Sequence, residues 1–120
     1  MIRVSTEPDR KLVRATMDGL LTVADVGQFS LDEQAAVREM GLASGEFDLL
    51  VITLGSVVQT QEVMEAFAAL MANSPLKARR IATVRQGALT KMQSRRIGNV
   101  RSNYEVFGTE EEADAWLREP

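Results

Sequence analysis

The sequence contains no cysteine and no histidine. Without cysteine there is no disulfide, no thiolate nucleophile and no Cys-ligated zinc or iron–sulfur cluster. Without histidine the commonest general base and the commonest metal ligand are missing as well. Ser-His-Asp chemistry, Cys-His chemistry and His-bearing metal sites are excluded, which leaves carboxylate, lysine or hydroxyl chemistry. Aromatic residues make up only 5% of the chain. No apolar run approaches the roughly 20 residues that a membrane span requires. Residues Met1 to Arg10 mix charges with a proline and lack the apolar stretch of a signal peptide, so a cytoplasmic protein is expected.

What is present reads as one globular domain, residues 1–120. Hydrophobic residues make up 45% of the chain and charged residues 26%, ordinary values for a folded domain. The longest apolar run is Phe47-Asp48-Leu49-Leu50-Val51-Ile52-Thr53. It has no helical period, and Gly45 and Gly55 bound it too closely for a normal helix. Such a run predicts a strand covered on both faces, the centre of a largely parallel sheet.

The segments around it supply the neighbours. Ile2–Thr6 and Lys11–Met17 alternate as strands and are joined by the turn residues Glu7-Pro8-Asp9-Arg10, which predicts an antiparallel hairpin. Thr22 with Asp25 three residues on predicts a capping box. It opens a helix that carries Val26, Phe29, Ala36, Val37 and Met40 on one stripe, which Glu33 interrupts. A second helix is expected from about Thr60 or Gln61, with Val63, Phe67, Leu70 and Met71 inward and Asn73-Ser74-Pro75 as its stop. Arg80–Val84 predicts a short strand and Ala88–Ile97 a short helix, with Leu89 and Met92 inward. Tyr104–Phe107 predicts the last strand. Thr109-Glu110-Glu111-Glu112 predicts a capped helix with Ala113, Trp116 and Leu117 inward. Strands that alternate with helices after a hairpin predict an α/β sandwich with a mixed sheet of about five strands and four helices.

Charge is unevenly spread. Lys77 to Arg101 holds eight basic residues and no acid, whereas the remainder holds six basic residues and all seventeen acids. One reading is a solvated face that balances the acidic helix at Thr109–Glu119. Another is an anion site, for phosphate, a nucleotide or an anionic lipid, where Gly87 precedes a helix start and Lys91, Arg95 and Arg96 follow within two turns. Nucleic acid is disfavoured by a pI near 5.0 and by the scarcity of aromatics beside the arginines. The carboxylates nearest strand ends are Asp18, Asp25, Glu46 and Asp48. None forms a spaced catalytic pair, and no metal or cofactor motif is present. Any site is expected off the carboxyl ends of the strands, near Gly55–Thr60 and Gly87–Lys91.

Three strings carry a resemblance: the Phe47–Thr53 strand with its following helix, Arg80-Ile-Ala-Thr-Val leading to Leu89-Thr-Lys-Met-Gln-Ser-Arg-Arg-Ile, and Val106-Phe107 with Glu112-Ala113-Asp114-Ala115-Trp116-Leu117. The chain resembles the SpoIIAA-like family, a branch of the STAS domains, over essentially its whole length. The resemblance implies a small non-enzymatic regulatory module that acts by binding a protein partner, with self-association as one form of this. It also implies a phosphoacceptor serine where the central strand meets the next helix. The equivalent stretch here is Ser56-Val57-Val58-Gln59-Thr60-Gln61. Thr60 lies nearest that position and Ser56 is the other candidate. No aspartate precedes the hydroxyl and no Ser-Gly follows, so helix capping is the favoured role for either residue. Other relatives of the branch resemble lipid-binding domains with an apolar space between sheet and helices. That makes a carrier or sensor of an apolar or anionic ligand the alternative, and a core filled by the six methionines and four phenylalanines its competitor.

Overall fold

The computed structural model describes residues 1–55, 57–98 and 102–120, with side chains except at 88–90, 97 and 98. Ser56 and Arg101, and the Leu89 side chain expected to point inward, lie outside the described residues. The elements run β1 (Ile2–Glu7), a 3-10 turn (Pro8–Arg10), β2 (Leu12–Asp18), α1 (Val23–Glu39), β3 (Asp48–Leu54), α2 (Gln61–Asn73), β4 (Ile81–Val84), α3 (Ala88–Gly98), β5 (Tyr104–Phe107) and α4 (Glu110–Leu117).

One five-stranded sheet is ordered β1-β2-β3-β4-β5, antiparallel between β1 and β2 and parallel elsewhere. The apolar run is its central strand, with Leu50 fully buried and Leu49 and Val51 nearly so. Strand order follows chain order, so every crossover steps in the same direction. Right-handed crossovers then place α1, α2 and α3 on one face of the sheet. The final helix, α4, makes no crossover and covers the other face, over β3, β4 and β5. Two cores result. Val13, Ala15, Met17, Phe47, Leu49, Val51 and Ile81 meet Val26, Phe29, Val37, Val63 and Phe67 beneath α1 and α2. Leu12, Leu50, Ala82 and Val84 meet Ala113 and Leu117 beneath α4. Each fully covered Val, Leu or Phe contributes roughly 1.5–3 kcal/mol.

Local signals explain the ends of the elements. Thr22 and Asp25 form a reciprocal capping box, with Asp25 N–H donating to Thr22 Oγ1 at 3.1 Å and Thr22 N–H to Asp25 Oδ2 at 2.8 Å. At α4 only the forward half of the expected box forms. Glu112 N–H donates to Thr109 Oγ1, and that hydroxyl donates in turn to the Glu112 carboxylate at 2.9 Å. Glu33 interrupts the apolar stripe of α1 as expected and is itself buried there. Trp116 faces inward, partly buried against the core beneath α4 and tilted against Phe107, with the Arg80 guanidinium 4.6 Å from its ring centre. One expectation needs correction. Met92 points outward at 49% exposed, and Ser94 takes the inward place on α3 at 1% exposed. The reason lies in the floor beneath α3, which is polar and accepts a hydroxyl where a thioether was expected.

Candidate functional site

A sheet whose order never reverses has no crevice between diverging crossovers, so a site at the strand ends must be built by the loops there. Gln59 organises them. It lies in the β3–α2 loop and is 7% exposed. Its side-chain oxygen accepts from Leu21 N–H at 2.9 Å, and its side-chain nitrogen donates to the Gly19 carbonyl at 3.1 Å, which ties the β2–α1 loop to the β3–α2 loop. Gln93 of α3 grips the backbone of the same residue. Gln59 N–H donates to Gln93 Oε1 at 2.9 Å, and Gln93 Nε2 donates to the Gln59 carbonyl at 3.0 Å. Two glutamines therefore fix three segments at the carboxyl edge of the sheet.

The same edge gathers exposed apolar side chains. Leu20 and Val23 lie in and just after the β2–α1 loop, Leu54 ends β3, and Val58 sits beside Gln59; they are 44–62% exposed. Met1 joins them, because β1 is antiparallel and the residue that precedes it meets the end of β2: Asp18 N–H donates to the Met1 carbonyl at 2.9 Å. Leu54 is level with Asp18 across the β2–β3 ladder.

Beneath α3 lies a polar seam. Thr83 of β4, Arg85 just after it, Tyr104 of β5 and Ser94 of α3 meet there, and Thr53 follows Ile52, the register partner of Val84, on the neighbouring strand. Burial pushes the Tyr104 phenol above its ordinary value, against the opposing pull of the Thr83 and Ser94 hydroxyls and the Arg85 charge. Burial likewise pulls the Arg85 guanidinium down. Ser94 Oγ is close enough to favour a phenolate but makes no hydrogen bond of normal geometry.

A surface cleft of about 420 Å³ runs between α2 and α3, lined by Gln61, Met64, Glu65, Ala68, Gln93 and Arg96. Between the sheet and helices α1 and α2, the void beside Phe29, Leu49, Leu70 and Ile81 holds only about 30 Å³, room for about one water.

The residues singled out from sequence are dispersed. Thr60 is exposed and caps α2, accepting from Val63 N–H at 3.3 Å. Gly87 adopts φ +85° at the turn into α3, a conformation that favours glycine. Lys91 is half-buried and reaches toward the β5–α4 loop, with its Nζ 3.6 Å from where a methyl on Gly108 would sit. Arg96 instead faces the α2 cleft, and Arg95 is exposed. Lys91 and Arg96 thus point in different directions. The start of the basic segment is structural. Arg79 pairs with Asp48, while Arg80 pairs with Glu119 at 3.3 Å and donates to the Trp116 carbonyl at 2.6 Å. Of the carboxylates, Asp25 is in a cap, Asp48 is paired, and Glu46 accepts from Ala43 N–H at 2.6 Å. Gln59, Gln93, Arg85 and Tyr104 were not singled out from sequence as site residues. A glutamine in a loop and another on a polar helix carry no periodic signal. Arg85 hid within a run of surface cations.

No family model matches the chain, and no curated protein matches it. Among solved structures it is similar to an uncharacterized protein of the DUF3478 family with a SpoIIAA-like fold from Shewanella loihica PV-4. The identity is 18% and the TM-score 0.68, over 98% of this chain and 92% of that one. At that identity the likeness is one of fold, and the chain has a SpoIIAA-like α/β fold.

Proposed function

We propose that this SpoIIAA-like domain is a non-catalytic regulatory module that binds a protein surface, a second copy of itself included, through the apolar end formed by Met1, Leu20, Val23, Leu54 and Val58. The observation that carries the reading is the concentration of exposed large apolar side chains at that end, on loops that Gln59 and Gln93 hold in place. Contiguous exposed apolar surface favours protein contact, and preorganised loops lower the entropic cost of binding. The void of about 30 Å³ that the described residues leave beneath α1 and α2 supports a module over a carrier of an apolar ligand, because a carrier needs a cavity of roughly 300 Å³ or more there. Three of the four candidate carboxylates, Asp25, Glu46 and Asp48, are engaged in structural contacts, Asp18 is exposed at the end of β2, and the sequence is free of histidine and cysteine; these support binding over catalysis.

The test is sedimentation velocity of the full chain at rising concentration, with a Leu20→Glu/Val58→Glu variant beside it. The expected result is reversible association by the parent chain and none by the variant, with identical circular dichroism. Native mass spectra in which the freshly purified protein carries one equivalent of lipid or nucleotide, together with a chain that stays monomeric, would replace the module with a carrier.

A further inference from the structure

The Arg85 guanidinium is the least expected group in the interior. The residue is 5% exposed, its Nε has no hydrogen-bond partner, and no carboxylate among the described residues stands against it. Arginine keeps its charge in proteins, and a buried cation is costly unless it is paired and hydrogen-bonded. Two further buried polar atoms are also unpartnered, Thr53 Oγ1 near the end of β3 and Ser94 Oγ on α3, on residues 9% and 1% exposed. Buried hydroxyls almost always find partners, so three orphans in one place call for a common explanation.

They do share one place. The β3–β4 ladder pairs Ile52 with Val84, which sets Thr53 beside Arg85 on the α3 side of the sheet. The Tyr104 phenol lies against both the Arg85 charge and the Ser94 hydroxyl. The seam therefore collects one fixed cation just after β4 and four hydroxyls, those of Thr53 on β3, Thr83 on β4, Tyr104 on β5 and Ser94 on α3, with no anion among them.

We propose that this seam binds a tetrahedral oxyanion, a phosphoryl or sulfate group, held by Arg85 and by the hydroxyls of Ser94, Thr53 and Tyr104. Such an anion presents acceptor oxygens in several directions, which suits donors that arrive from sheet and helix. The guanidinium supplies a planar fork matched to two of those oxygens. The approach is by the β4–α3 turn, where Gln86 and Gly87 are exposed. The site differs from the outward Arg95 and Arg96 and does not depend on the protein-binding reading of the apolar end.

The experiment is calorimetric titration of the full chain with inorganic phosphate, sulfate and dihexanoyl phosphatidic acid at constant ionic strength. One saturable equivalent is expected. Arg85→Met should weaken it about tenfold or more, as loss of charged hydrogen bonds predicts. Ser94→Ala and Thr53→Val should each weaken it severalfold, and Arg95→Ala/Arg96→Ala should leave it unchanged. Saturation by phosphate or sulfate but not the lipid marks a free anion, and saturation by the lipid alone marks a headgroup; both support the site. If none of the three binds saturably, or if binding survives Arg85→Met and is lost with Arg95→Ala/Arg96→Ala, the proposal is overturned. Should Arg85→Met fail to fold, unchanged affinity in both hydroxyl variants overturns it equally.

Discussion

Arg79 grips Asp48 with two prongs, Nε to Oδ1 at 2.9 Å and Nη2 to Oδ2 at 2.9 Å. The same guanidinium donates to the Leu117 carbonyl at 2.7 Å and the Glu119 carbonyl at 3.0 Å. One side chain thus fastens the start of β3 to the end of α4, where carbonyls lack intrahelical partners and the dipole favours a cation.

Arg79→Ala should lower stability by about 1.5–3 kcal/mol, the usual range for hydrogen bonds to charged groups. Arg79→Lys should recover less than half of that, because an ammonium keeps the charge but not the fork. Urea unfolding followed by the fluorescence of Trp116, the chain's one tryptophan, measures both. Equal stability of Arg79→Lys and the parent would show that charge alone matters.

Gln59→Glu should lower stability by about 1–3 kcal/mol. The carboxylate can still accept from Leu21 N–H but has nothing to donate to the Gly19 carbonyl, which would face a buried negative group. Hydrogen exchange at the Leu21 amide is the local readout. Faster exchange there, with β3 amides unchanged, is expected if Gln59 holds the loop and not the sheet.

Tyr104 is the chain's one tyrosine, so ultraviolet absorbance reports its ionisation alone. Its midpoint should lie above 10.0 in the folded protein and return to about 10 in denaturant. The folded state holds this proton more tightly than the unfolded state. The resulting stabilisation is therefore complete below pH 10 and declines as pH rises through the folded midpoint. Arg85→Met should move the midpoint higher still, since the Arg85 charge favours the phenolate.

At the acid end the sign reverses. The Thr22 backbone N–H, first among the causes, holds the Asp25 carboxyl below its ordinary 3.8. The Arg118 hydrogen bond, followed by the Arg10 contacts, does the same for Asp114. Both contributions are present above pH 3.8 and fade as pH falls through the depressed folded values. Carboxyl-carbon NMR titration should find both below 3.8. Arg118→Ala should raise Asp114 only part of the way, because Arg10 remains.

Much of the fold was legible because its signals are local. The two-faced strand at Phe47–Thr53, the caps at Thr22, Thr60 and Thr109, the stop at Ser74-Pro75 and the bounds of Tyr104–Phe107 each rest on residues within one or two turns of each other. The stripe of α3 was misread for the opposite reason. Met92 is the more apolar residue, and periodicity sends it inward, yet the surface that α3 covers is made by Thr83, Arg85 and Tyr104, residues from two strands on either side of that helix in sequence.

The sequence by itself determined the kinds and order of the elements along the chain, the N-terminal hairpin and the two-faced central strand, because hydrophobic period, caps and turn residues are local signals. Tertiary structure alone decided which polar groups meet. Gln59 finds Gln93 across 34 residues and Gly19 across 40, and Arg85 ends beside the Tyr104 phenol with no carboxylate against it among the described residues. Burial and pairing of polar groups depend on what the folded chain brings within about 3 Å, the reach of a hydrogen bond, and no spacing along the chain encodes that distance.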